Sequence, residues 1–73
     1  MSYAEAKAVE MIDREIQRMP SSAFPSSDRW YAIGMLELAY AAGLIGCEQY
    51  RGYTAQIHQM ADERGAQLRR IAA

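Results

Sequence analysis

Few side chains in this sequence can do chemistry: Cys47, Glu48, His58, Asp62, Glu63 and Glu37. His58 and Asp62 stand four apart, which on a helix turns both toward one ion or toward each other. A zinc site needs four ligands including water, and Cys47 lies eleven residues before His58, three helical turns away. The pair therefore reads as a solvated His–acid contact, and no metal or cofactor is expected. Cys47 at a helix N-terminus would be a more acidic thiol than usual. A nucleophile also needs an oxyanion cradle and a walled pocket, and no Gly-rich loop supplies them. With one His and one Cys in 73 residues, the chain is expected not to be an enzyme.

These groups sit on elements that the sequence marks clearly. Ser2-Tyr3-Ala4-Glu5 fits a capping box, and Val9, Ile12, Ile16 and Met19 follow at steps of three and four, one apolar stripe of a helix. Pro20 ends it, so the first helix is expected over 3–19. Residues 20–27, Pro-Ser-Ser-Ala-Phe-Pro-Ser-Ser, read as a loop in which Phe24 plugs the end of the core. Ser26 or Ser27 is the expected cap of the second helix, 28–42, with Asp28 at its positive end. Gly43 takes the left-handed position after it, with Leu44 and Ile45 folding back as an apolar closure. Gly46 then caps a third helix over 47–70, whose seam is Tyr50, Tyr53, Ile57, Met60, Arg64, Gln67 and Ile71.

The composition sets the scale. One 73-residue domain buries roughly 60% of the surface its unfolded chain exposes, so its core is small. Eight Lys/Arg against nine Asp/Glu give a net charge of −1, which argues against a module that binds by neutralising phosphates. A single cysteine cannot form an internal disulfide and favours a reducing compartment; a cytoplasmic location is expected. Acidic and basic residues from Glu5 to Glu15 interrupt any signal-peptide-like apolar run.

The second helix is unusual. From Trp30 to Gly46 only Glu37 is charged in seventeen residues, and apolar side chains cover every azimuth. A membrane span needs roughly 20 apolar residues, and this run is shorter and carries a central carboxylate. Helices one and three can cover two sides of helix two, which leaves a third side. An all-α fold is expected, three helices with a helical hairpin, packed as a homodimeric bundle through Ile33, Leu36, Leu38 and Tyr40. A tight monomeric three-helix bundle is the alternative.

Part of a helix-turn-helix pattern is present in Leu38-Ala39 and Gly43-Leu44. It fails at Gln49, where the recognition helix requires an apolar anchor, and Glu48 and Arg51 are a poor set of base and phosphate contacts. Protein partners suit the chain better. Five tyrosines and a tryptophan accompany Arg29 and Arg51 around helix two and the hairpin, and Tyr, Trp and Arg dominate interface energetics. Trp30 and Tyr53 are expected in the core. Arg29, Tyr31 and Arg51 are harder to bury and are the expected partner-binding residues.

The stretch Arg29–Glu37, continuing Ala39-Tyr40-Ala41-Ala42-Gly43-Leu44-Ile45 and then Tyr50, resembles small helical-hairpin proteins encoded in phages and prophages. The shared pattern is an apolar helix, Gly-Leu-Ile, and a helix opening with Glu and Tyr, over about residues 28–60. It departs at Gly46, where such proteins carry Thr, Ser or Asp. In size and organisation the chain is similar to a phage quorum-sensing anti-activator, a small helical dimer that binds the DNA-binding domain of a LuxR-type regulator and also a pilus-assembly ATPase. The resemblance implies a host-takeover role inside a bacterial cell: an inhibitor that masks a host protein such as a transcriptional activator. A small DNA-associated transcriptional regulator is the alternative.

Overall fold

The computed structural model describes residues 2–72, and every regular element among them is helical. Helix α1 spans Tyr3–Arg18, a 3-10 turn follows at Met19–Ser21, and α2 and α3 span Pro25–Ala41 and Cys47–Ala72. Ser2 accepts from the Glu5 N–H while the Glu5 carboxylate takes the Ser2 N–H, which completes the capping box. These bonds hold the Glu5 carboxyl below its ordinary range. Pro20 tightens the chain into the 3-10 turn after Arg18, so α1 ends one residue before Met19.

The second helix starts earlier than its serines suggest. Pro25, not Asp28, opens it, and no side chain caps it. A proline at the first helical position loses no hydrogen bond, because that N–H has no intrahelical acceptor. Ser26 and Ser27 consequently lie within the first turn. The far end is closed by two backbone bonds, Gly43 N–H to the Tyr40 carbonyl and Leu44 N–H to the Ala39 carbonyl, at 3.0 and 2.9 Å. Gly43 has φ +74°, the left-handed conformation that this closure requires. Ile45 is then carried back into the core. At the start of α3 the Gly46 carbonyl accepts from Tyr50 N–H, and the Gln49 side chain returns to the Gly46 N–H at 3.0 Å.

The core is one cluster: Ile12, Ile16 and Met19 from the first segment, Ala32, Leu36 and Ala39 from α2, Ile45, and Ile57 with Ala61 from α3. Leu36 and Ile57 are completely enclosed. α2 lies between the other two helices, and α3 also closes on the 3-10 turn. Small residues at 32, 39 and 61 let the backbones approach, and Ile12, Met19, Leu36 and Ile57 are the large side chains enclosed between them.

Several expectations are corrected. Phe24 plugs nothing, at 74% exposed, and Trp30 lies outside the core at 61%. The α3 seam holds through Met60, after which Arg64 reaches the Ser22 carbonyl and Ile71 stands in solvent. Leu36, expected at a surface between two copies, is instead consumed by its own chain, and Ile33 is half-buried against the same core.

One buried polar group organises the connection between α1 and α2. The Ser22 hydroxyl donates to Asp28 and accepts the Phe24 N–H, while its carbonyl accepts Arg64 Nε at 2.8 Å. No buried side-chain N or O among the described residues lacks a hydrogen-bond partner.

Candidate functional site

The outer side of α2 is the most distinctive surface of the chain. Residues seven apart on a helix fall nearly in line, and two such lines run along it. Trp30 and Glu37 form the line nearer α3. Trp30 meets the His58 ring edge-on with centroids 6.1 Å apart, and Glu37 accepts the Tyr50 hydroxyl. Tyr31 and Leu38 form the line nearer α1, where Leu38 borders an open apolar groove of about 370 Å³. Its walls are Ala4, Ala8 and Met11 of α1 with Met35, Ala39 and Leu44, and Tyr3 and Lys7 bring the polar tips at its rim. Tyr31 and Leu38 are 60% and 71% exposed.

The α3 flank is polar and cross-linked. Arg29 donates to His58 Nδ1 at 2.9 Å and to the Asp62 carboxylate. A guanidinium only donates, so Nδ1 accepts and the proton of the neutral ring sits on Nε2. His58 and Asp62 thus share a feature of the structure, each meeting the Arg29 guanidinium. Among the described residues no group of three or more His, Cys, Asp or Glu gathers as a metal site.

The three expected partner-binding residues do not form one patch. Arg29 is spent holding α2 to α3, with its side chain only 23% exposed. Its ion pair and hydrogen bond give it a structural reason to be there. Tyr31 belongs to the α1 flank. Arg51 is exposed on α3 and shares a helical line with His58, seven residues on, so it stands on the same flank as Trp30. Trp30, expected inside, lies instead on the α3 flank against His58, two helical turns along α3 from Arg51. Of the expected dimer residues, Leu38 is open, and Tyr40 is 41% exposed while stacked on Tyr50 at 4.5 Å and 24°.

The tyrosines carry a measurable consequence. The hydrogen bond to Glu37, then burial, push the Tyr50 phenol above its ordinary value; burial, then Asp13, do the same for Tyr53. A raised folded-state pKa contributes stability below the ordinary tyrosine range, and that contribution is lost as pH rises through the folded value. Absorbance titration at 295 nm should show Tyr50 and Tyr53 ionising late. Glu37→Ala should move the Tyr50 phenol down toward its ordinary value and leave Tyr53 late; an unchanged curve would remove the Tyr50–Glu37 contact.

No helix among the described residues is long and apolar enough to cross a membrane. No family model matches the chain, and no curated protein or solved structure matches it either.

Proposed function

We propose that this chain is a small protein-binding module that masks a host protein, of the phage anti-activator type, and that it works as a homodimer. The observation that carries this reading is the exposed aromatic and apolar side of α2. Trp30, Tyr31 and Leu38 stand mostly in solvent and Tyr40 partly so, although α2 already supplies Ala32, Leu36 and Ala39 to the core. Folding does not require those four outside, and large exposed apolar patches mark sites of association. The flank with Trp30 and Arg51 combines the residue types that concentrate binding energy, beside the Arg29–Asp62 ion pair.

The LuxR-type DNA-binding domain named by the resemblance is the target to test. Titration calorimetry should give a complex whose affinity changes less than tenfold between 50 and 200 mM salt, and adding the chain should release the regulator from its operator. Contact with phosphates would instead lose roughly 10³–10⁵ over that range. Trp30→Ala and Arg51→Ala should each weaken the complex at least tenfold, about 1.4 kcal/mol, with the helical spectrum unchanged. A chain that itself binds duplex DNA with steep salt loss, or that leaves the regulator on its operator, overturns the reading.

A further inference from the structure

Gly34 sits in the middle of α2, where glycine costs about 1 kcal/mol relative to alanine. Nothing in its own chain explains it: a Cβ built there meets no atom within 4 Å, and its φ is not in the left-handed region. Exposed residues run from it in both directions at helical spacing, Tyr31 and Ser27 one way, Leu38 and Ala41 the other. The stripe is close to symmetric about Gly34. Reversed end to end and laid on itself, it sets Tyr31 opposite Leu38 and Ser27 opposite Ala41.

We propose that two copies of this chain pack outer face to outer face through α2, antiparallel about a two-fold axis at Gly34, with Tyr31 of each entering the partner's α1–α2 groove beside the partner's Leu38. This rests on the homodimer reading and specifies its geometry. A two-fold axis across α2 keeps the α1 flank of one copy over the α1 flank of the other, which is where Leu38 and the groove both lie. The groove, at about 370 Å³, has room for a tyrosine ring, and its walls are apolar except for the Tyr3 hydroxyl and Lys7 ammonium that can meet the phenol. Two glycines at the crossing let the helix axes close without a side chain between them.

Charge selects a second copy over other occupants. Among the exposed residues of α2 from Trp30 to Ala41 only Glu37 is charged, and it already accepts the Tyr50 hydroxyl. A charged peptide finds no free ion-pair partner on this face of α2, and the ammonium at the groove rim, Lys7, is paired with Glu10, whereas a second neutral face fits.

Sedimentation velocity from 1 to 100 µM, on the wild type and two glycine variants, tests this. The wild type should run at twice the chain mass. Gly34→Leu should run as a monomer with its helical spectrum and melting retained. Gly52→Leu, at an equally open glycine inside α3, should remain a dimer. Tyr31→Ala should weaken the dimer at least tenfold. If Gly34→Leu dimerises as well as the wild type, this geometry is overturned and the homodimer stands. If the wild type is monomeric at 100 µM, both fall. If Gly34→Leu loses its helical spectrum, Ser27→Cys/Ala41→Cys in a Cys47→Ser background decides: paired disulfides between copies support the antiparallel register, and their absence in a dimer overturns it.

Discussion

Leu36→Ala is expected to destabilise the chain by about 3–5 kcal/mol, the range found when a fully enclosed leucine leaves a cavity. Leu36 has no exposed surface and belongs to the one core cluster with Ile57, Ala32 and Ala39. A domain of this length holds only about 4–11 kcal/mol in total, so the variant should lose most of its thermal transition. Leu38→Ala, two residues on, is the contrast. Leu38 is 71% exposed, and truncating it at sub-micromolar concentration should change stability by less than about 0.5 kcal/mol. Thermal melts followed by circular dichroism measure both. Equal effects from the two substitutions would mean that the side of α2 turned toward the core is wrongly placed. The same pair also separates the two roles that a uniformly apolar helix confuses, since the first loss is of fold and the second of association.

Ser22→Ala is expected to cost about 2 kcal/mol although it removes a single oxygen. That hydroxyl is donor to Asp28 and acceptor for the Phe24 N–H in a site where Ser22 is only 6% exposed. Its removal leaves a carboxylate and an amide without their partner, and the cost of orphaned groups exceeds the gain of the bonds themselves. At about 4–8 °C per kcal/mol for a chain this small, the melting temperature should fall by about 8–16 °C. Ser21→Ala, next to it, should have little effect, because that hydroxyl reaches only the Arg18 carbonyl at the surface. A Ser22→Ala variant that melts with the wild type would show that the connection between α1 and α2 does not need this junction.

Local features were readable because their physics is local. The capping box of Ser2 and Glu5, the stripe of Ile12, Ile16 and Met19, and the left-handed Gly43 with Leu44 and Ile45 folding back all follow from contacts within a few residues. Pro25 was legible in principle as a first-turn proline, but the serines after it offered a competing cap and drew the boundary three residues too far. Cys47 as the start of α3 followed from the turn before it.

Side-chain roles on α2 were a different matter. Periodicity assigns a helix its inner face only when polar residues occupy the other, and between Trp30 and Gly46 only Glu37 breaks the apolar run. The phase was set by packing between helices: Ala32 and Ala39 are small enough to admit the neighbouring backbones, so Leu36 turned inward and Trp30, Tyr31 and Leu38 were left outside. Arg29 looked free in one dimension because Asp62 and His58 are about thirty residues away in the chain, and became an internal brace once α3 folded back along α2. Three helices, their hairpin and most of their ends were thus written in short-range patterns, whereas the division of α2 into a core side, an α1 flank and an α3 flank arose from which helices could approach it closely.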